Sequence, residues 1–231
     1  MSKYKAVFFD LDHTLWDFDL NSQFAITELF HDHKLDELGI SGPADFISVY
    51  REINKSMWDE FHRNTITKET LRSGRFSKAL SAFGIQNSQL AETLASNYTR
   101  ICPVKTNLFP GALEILKYLS EKYSLHIITN GFREVQYLKI RNSGLEPFFK
   151  NIHISEEIGF KKPEPEIFNY AVRQSGTIHE KCIMIGDNLD TDIAGAENAG
   201  IDSVYFNPLN IDAGRKVLHE INHLDQLKLI L

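Results

Sequence analysis

The segment Ala6-Val7-Phe8-Phe9-Asp10-Leu11-Asp12-His13-Thr14 joins four consecutive apolar residues to a charged turn. An apolar run of this kind is typical of a strand buried on both faces, as in a parallel sheet. Such a strand delivers Asp10 and Asp12 to its carboxyl end, where open α/β sheets bind their ligands. Two carboxylates this close repel each other unless a cation neutralises them or one is protonated. The segment therefore predicts a parallel sheet with a chemical site at its edge.

Strands and helices alternate along the chain after residue 110. The predicted strands are 125–129, 152–154, 181–187 and 203–206. The predicted helices begin after 110–111 and then cover 132–142, 164–174, 190–198 and 222–231. This alternation is typical of a parallel sheet with helices on both faces, and right-handed crossovers place every strand's carboxyl end at one edge. The first strand belongs to this sheet, because the segment that directly follows it offers no strand to pair with.

A helical block separates the first strand from the rest of the sheet. Apolar residues recur with helical spacing from about Leu20 to Ile101, and Gly and Pro residues divide the segment into about four helices. We therefore predict an α/β sheet core over residues 1–19 and 102–231 and an inserted α-helical bundle over residues 20–101.

Composition and charge limit the classes of function. The 231 residues carry a net charge of −6 and an isoelectric point near 5.8, without a local run of Lys and Arg. These values argue against a nucleic-acid polymer as partner. The sequence shows neither a signal peptide nor an apolar run that could span a bilayer, so we expect no membrane partner and a cytoplasmic location. We expect a monomer or a small homo-oligomer.

Polar groups follow two further strands. Thr129-Asn130-Gly131 ends the second strand, where a hydroxyl and backbone N–H groups suit a phosphate at a helix N-terminus. An ordinary turn is the alternative interpretation. Lys161-Lys162 precedes Pro163, which forces Lys162 to be extended and directs its ammonium group away from the next helix. Here the alternative is a pair of solvated surface lysines.

The strand at 181–187 also ends in carboxylates. Asp187, Asp190 and Asp192 lie within six residues after a buried apolar run, which favours a cation site. The oxygen ligands that we expect to suit Mg²⁺ are Asp10, Asp12 and Asp187. The donors that we expect to hold a phosphoryl group are Thr129, Asn130 and Lys162. A carboxylate can also attack phosphorus as a covalent nucleophile.

These motifs resemble those of a known superfamily. Asp10-x-Asp12-x-Thr14, Thr129, Lys162-Pro163 and Gly186-Asp187 with Asp192 are similar, in order and spacing, to the four motifs of the haloacid dehalogenase (HAD) superfamily. The resemblance covers the α/β part of the chain and implies a Rossmann-like, HAD-like sheet core. The helical insertion resembles the superfamily's α-helical cap, which closes over the site.

The resemblance also implies roles for the motif residues. In the superfamily, the residue at the position of Asp10 attacks phosphorus. The residue at the position of Asp12 protonates the leaving group, activates water and binds Mg²⁺ through its main-chain carbonyl. The positions of Thr129 and Lys162 hold phosphoryl oxygens, and that of Asp187 binds Mg²⁺. Asp192 and Thr14 take supporting positions. Phe160-Lys161 stands ahead of Lys162 where a small residue is common, which leaves open which lysine faces the site. The Lys-Pro dipeptide of the motif favours Lys162.

Within the superfamily, the chain most resembles pyrimidine nucleotide 5′-nucleotidases. Residues 54–58, 66–67 and 74–76 of the helical block and 127–132 and 154–159 of the core carry this similarity. It implies a Mg²⁺-dependent phosphomonoester hydrolase with an aspartyl-phosphate intermediate, acting on a small phosphorylated metabolite, with pyrimidine nucleoside 5′-monophosphates preferred. The alternatives are a sugar-phosphate phosphatase or phosphomutase and, more remotely, a 2-haloacid dehalogenase or a non-catalytic binding module.

Overall fold

The computed structural model describes residues 3–231 and divides the chain into two compact units. The sheet unit contains the residues up to Phe18 together with Thr106–Leu231, and the helical unit is Asp19–Lys105. The chain thus leaves the sheet unit after the first strand and returns to it before the second. Within residues 3–231, no helix has the length and apolar character needed to cross a bilayer.

Parallel strands form the centre of the sheet unit. The strands are β1 Ala6–Phe9, β2 Ser124–Thr129, β3 Asn151–Ile154, β4 Cys182–Gly186, β5 Asp202–Phe206 and β6 His219–Ile221. They are ordered β3-β2-β1-β4-β5-β6 and are parallel throughout. Phe9 is in register with Ile127 of β2 and with Ile185 of β4. The carboxyl ends of β2 and β4 therefore flank the end of β1.

Helices account for most of the remaining chain. The helices before β2 are α1 Phe18–Asp32, α2 Pro43–His62, α3 Lys68–Ala82, α4 Ser88–Ile101 and α5 Ala112–Ser120. Those after β2 are α6 Arg133–Asn142, α7 Ser155–Ile158, α8 Pro165–Ser175 and α9 Ala194–Asn198. The predicted α/β class with a parallel sheet and an inserted helical segment is confirmed.

Each unit has its own apolar core. In the sheet unit, β1 and β4 are buried along their whole length, as expected for strands covered on both faces. Ile167 and Phe168 of α8 pack in the same cluster as Phe8 and Met184 of these strands. In the helical unit, Tyr50 and Phe76 are fully buried, and their ring centroids are 4.9 Å apart.

Three details of the predicted secondary structure after β4 were wrong. The expected helix over 222–231 is a short 3-10 helix, Leu224–Leu229, and it follows β6, which the sequence analysis missed. Leu224 and Leu227 are its buried residues, and a three-residue spacing suits the tighter 3-10 turn. The strand β6 has only three residues, which is too few for a recognisable period. The expected helix over 190–198 begins as a π-helical turn, Leu189–Ile193, and continues as α9.

Candidate active site

The carboxylate of Asp10 lies directly after β1. The backbone N–H of Asp10 donates to Ile185 O of β4 at 2.9 Å, which continues the sheet pairing by one residue. Asp10 is only 7 % exposed. The sheet therefore fixes the backbone of Asp10, and its side chain is placed in a largely dry environment.

Lys162 provides the positive charge beside Asp10. Its ammonium group donates to Asp10 Oδ1. It also donates to Ile128 O, at 2.9 Å, and forms an ion pair with Asp192 Oδ1, at 2.6 Å. The amide of Asn130 donates to Lys162 O and accepts from Lys162 N, both at 2.9 Å. Lys162 is 2 % exposed, so of the two adjacent lysines it is the one that reaches the predicted site. The Asn130 side chain holds the backbone of that lysine.

Three carboxylates converge on the end of β4. One oxygen each from Asp10, Asp187 and Asp192 lies within 4.8 Å of the other two, a spacing that could hold a metal ion. Thr14 donates from Oγ1 to Asp187 Oδ1 at 3.2 Å. The backbone N–H of Asn188 donates to Asp192 Oδ2 at 3.1 Å. Asp10 and Thr14 of the first motif thus lie with Asp187 of the last one, and Asp192 stands inside the cluster.

The electrostatics of this cluster favour a cation. Burial raises the pKa of Asp187 to about 8, and the neighbouring charge of Asp192 adds to the effect while Lys162 opposes it. Burial likewise raises the pKa of Asp10 well above its ordinary range. For Lys162, burial lowers the pKa, but the charges of Asp10 and Asp192 outweigh it and the pKa is raised. One ammonium group faces three carboxylates, so the residues present fit a divalent cation.

The carboxylate of Asp12 lies outside this cluster. Lys139 Nζ donates to Asp12 Oδ1 at 2.6 Å and to Oδ2 at 2.9 Å. Gln136 Nε2 donates to Asp12 Oδ2 at 2.9 Å and to Thr129 Oγ1 at 2.6 Å. The Asp12 carboxylate is therefore tied to α6 and, through Gln136, to the end of β2.

Sequence reasoning missed Gln136 and Lys139. Together with Ile140, they are the buried residues of α6, at the i, i+3 and i+4 spacing of one helix face. Two polar side chains on the buried face of a short amphipathic helix are the signal that could have identified them. Long polar residues are rarely buried without a partner, so such a pair predicts a polar group on the facing strand ends.

The chain belongs to the haloacid dehalogenase-like hydrolase family, whose model matches residues 4–200. It is therefore a hydrolase. This agrees with the superfamily that the motifs around Asp10, Thr129, Lys162 and Asp187 indicate.

Three phosphatases are similar to this chain along most of its length. The chain is 35% identical to the pyrimidine 5′-nucleotidase PynA of Streptococcus pneumoniae over 90% of this chain and 86% of PynA. It is 31% identical to the pyrimidine 5′-nucleotidase YjjG of Escherichia coli over 89% of this chain and 87% of YjjG. It is also 30% identical to a glyceraldehyde 3-phosphate phosphatase of Methanothermobacter thermautotrophicus, over 98% and 99% of the two chains.

A solved structure extends the similarity to the whole chain. The magnesium-bound crystal structure of the HAD-hydrolase YfnB of Bacillus subtilis superposes with a TM-score of 0.89 at 33% identity. The match covers 100% of this chain and 99% of YfnB.

Proposed function

We propose that this hydrolase is a Mg²⁺-dependent phosphatase that cleaves small phosphate monoesters through an aspartyl-phosphate on Asp10. The observation that carries the proposal is the convergence of Asp10 with Lys162 and two further carboxylates at the ends of β1 and β4. A binding module would need no buried nucleophile of this kind. A 2-haloacid dehalogenase would need neither a metal nor a second acid at Asp12.

The reaction takes two displacements at phosphorus. An Asp10 oxygen attacks the phosphoryl group, and the bond from phosphorus to the ester oxygen breaks. Asp12, which carries a proton at this stage, gives it to that oxygen and is left as the carboxylate that pairs with Lys139. Asp12 then takes a proton from water, whose oxygen attacks the phosphorus of the aspartyl-phosphate. Inorganic phosphate leaves and the Asp10 carboxylate is restored.

The remaining polar residues hold the phosphoryl group. The ammonium group of Lys162 is placed to neutralise a phosphoryl oxygen next to Asp10, and Asn130 fixes the backbone of Lys162. The hydroxyl of Thr129, at the end of β2, supplies a further donor. Groups fixed before the reaction stabilise developing charge without reorganisation, which is the main electrostatic contribution to such catalysis.

The carboxylates of Asp10, Asp187 and Asp192 give the site a surplus of negative charge that a magnesium ion would neutralise. Asp10 and Asp187 would hold it with the main-chain carbonyl of Asp12, and Asp192 would support both the ion and Lys162. Raised carboxylate pKa values and one ammonium group against three acids support this assignment. When bound, the ion supplies positive charge that lets the dianionic phosphate approach the Asp10 carboxylate.

For the substrate, we propose nucleoside 5′-monophosphates with pyrimidine bases preferred. The support is the similarity to PynA and YjjG, at 35% and 31% identity along nearly the whole chain. A sugar-phosphate or triose-phosphate substrate is the second candidate, and the glyceraldehyde 3-phosphate phosphatase relative favours it. Both candidates use the same chemistry at Asp10.

A panel of phosphate monoesters tests the proposal. We expect phosphate release from p-nitrophenyl phosphate that requires Mg²⁺ and is abolished by Asp10→Asn. Among natural esters, UMP, dUMP or dTMP should exceed hexose and triose phosphates in kcat/KM by at least about tenfold, or about 1.4 kcal/mol. If glucose 6-phosphate, β-glucose 1-phosphate or glyceraldehyde 3-phosphate leads the panel, the nucleotidase assignment is wrong. Activity that survives Asp10→Asn would refute the mechanism.

A further inference from the structure

Two residues of α6 form a support for the site that the four motifs do not include. Gln136 and Lys139 are 0 % and 5 % exposed, and both contact the carboxylate of Asp12. We propose that these two are positioning residues, with Lys139 holding the Asp12 carboxylate and Gln136 setting the direction of the Thr129 hydroxyl. The inference rests on the proposed phosphatase function.

Lys139 fixes the orientation of the Asp12 carboxylate. Its ammonium group lies 2.6 and 2.9 Å from the two carboxylate oxygens, so the carboxylate cannot rotate without losing a bond. The same ammonium group lies 4.4 Å from the ring centroid of Trp16 and 5.6 Å from that of Phe18. The aromatic rings attract the cation and restrict its position. Lys139 is therefore itself immobilised, as a residue that positions another must be.

Gln136 determines which way the Thr129 hydroxyl points. A hydroxyl has one proton and two lone pairs. Thr129 Oγ1 accepts from Gly131 N at 3.1 Å and from Gln136 Nε2 at 2.6 Å, which uses both lone pairs. Its proton is then left to donate, and a phosphoryl oxygen is the acceptor that the proposed function requires. Gln136 thus turns a group that could accept or donate into a donor.

The pairing of Asp12 with Lys139 sets the orientation of the Gln136 amide. While Asp12 is ionised, the amide nitrogen faces its carboxylate, because two oxygens would repel each other. This leaves Oε1 buried and without a hydrogen-bond partner among residues 3–231. A buried polar atom without a partner destabilises the folded state. The hydrogen bonds of Nε2 to Asp12 and Thr129 offset this loss and hold the amide in its orientation.

The backbone next to Thr129 leaves room for the side chain of Gln136. A Cβ atom on Gly131 would lie 2.9 Å from Cγ of Gln136, closer than side chains pack. The glycine that follows Asn130 thus leaves the space that Gln136 occupies.

A simpler interpretation is that Lys139 only stabilises the fold by pairing with a half-buried acid. Epistasis separates the two interpretations, because a positioning residue acts only while the residue it positions is functional. The experiment compares Lys139→Met in the wild type and in Asp12→Asn. It measures kcat/KM for p-nitrophenyl phosphate and for the best ribose or alkyl phosphate of the panel. Arg141→Met, which removes an exposed cation from the same helix, is the matched control.

We expect Lys139→Met to lower kcat/KM for the ribose or alkyl ester by about 10- to 100-fold in the wild type, the usual cost of misplacing a reacting group. The loss should be smaller for p-nitrophenyl phosphate, whose leaving group needs no proton. In Asp12→Asn the same substitution should change either value less than about twofold. Lys139→Arg, which keeps the cation, should restore part of the loss, and Arg141→Met should have no effect. Equal losses in both backgrounds would overturn the role of Lys139.

Gln136→Met tests the second role by a binding measurement. We expect it to raise the inhibition constant of inorganic phosphate several-fold, also in Asp12→Asn, whereas Lys139→Met leaves that constant unchanged. An unchanged constant in Gln136→Met would overturn the role of Gln136. If thermal unfolding shows that Lys139→Met does not fold, Lys139→Arg in the two backgrounds gives the same comparison with smaller effects.

Failure of the proposed function has a different signature. A wild type that releases no phosphate from any ester would contradict the phosphatase itself and the inference with it. If the wild type and Asp12→Asn behave as expected but Lys139→Met leaves kcat/KM unchanged, only the positioning role is contradicted.

Discussion

Gly186 and Asp192 approach each other so closely that a Cβ atom on Gly186 would lie 2.5 Å from Cβ of Asp192. The end of β4 and the π-helical turn after it can therefore meet only because residue 186 has no side chain. The contact places the Asp192 carboxylate beside Lys162, at 2.6 Å from its ammonium group.

A methyl group at this position should displace Asp192. We expect Gly186→Ala to lower the free energy of unfolding by about 1–3 kcal/mol, because the buried carboxylate must move away from Lys162. Phosphatase activity should fall with it. Thermal unfolding and phosphate release measure the two effects. Gly42→Ala, where a Cβ meets nothing within 4 Å, should leave activity unchanged.

Asp187→Ala should weaken Mg²⁺ activation. Removing one anionic ligand reduces the attraction of the site for the ion, so the Mg²⁺ concentration for half-maximal activity should rise at least about tenfold, with partial rescue at high Mg²⁺. A titration of activity with Mg²⁺ measures this shift. Asp190→Ala removes an exposed carboxylate from the same segment and should follow the wild-type curve. An unchanged Mg²⁺ requirement in Asp187→Ala would make Asp192 the next ligand to test.

Asp12→Asn should affect esters according to their leaving groups. p-Nitrophenolate leaves without a proton, whereas a ribose or alkyl oxygen needs one. We therefore expect a loss in kcat/KM that is larger for the ribose or alkyl ester, within the 10²–10⁴-fold range of general acid catalysis. Parallel assays of both esters give the ratio. Equal losses would count against Asp12 as the acid.

The two adjacent lysines should differ sharply. Lys162→Met removes the ammonium group that contacts Asp10 and Asp192 and should lower kcat/KM by at least about 100-fold, the usual cost of one stabilising donor in such a site. Lys161→Met should retain most of the activity, because Lys162 provides the ammonium group that is bonded to Asp10. Steady-state assays with p-nitrophenyl phosphate compare the pair. A larger loss in Lys161→Met would reverse the assignment.

Acid should destabilise the sheet unit through two buried histidines. Burial lowers the pKa of His126 and of His153 to about 4, from an ordinary value near 6.5. Between these pH values the unfolded chain binds more protons than the folded one, so stability is complete above pH 6.5 and is lost as the pH falls toward 4. The rings are stacked with centroids 5.9 Å apart.

Denaturant unfolding at pH 7 and pH 5 measures this loss. We expect the double substitution of His126 and His153 by Phe to reduce the difference in the free energy of unfolding between the two pH values. The readout is the change in the free energy of unfolding with pH, because a change in packing alone would shift that free energy equally at both pH values. His31→Gln, at an exposed position of α1, should keep the wild-type slope. A slope unchanged in the double variant would contradict the assignment.

The predictable part of the site follows from local pattern. Apolar runs such as Ala6–Phe9 and Cys182–Gly186 indicate buried parallel strands by themselves, and the parallel topology then requires their carboxyl ends to share an edge. Asp10 and Asp187 could be placed together on this basis. The short strand β6 and the π-helical turn could not be predicted, because three- and five-residue elements depend on contacts with their neighbours.

The sequence by itself determined the parallel α/β architecture, the inserted helical segment and the acids at the strand ends, because these depend on periodicity and spacing within short segments. Only the tertiary structure decided that Lys162 bonds Asp10 and that Lys139 and Gln136 bond Asp12. These partners are more than 100 residues apart in the chain, and the separation of 127 residues between Asp12 and Lys139 leaves no local pattern. Such pairs form because buried charges and amides must find partners once the sheet has removed water from them.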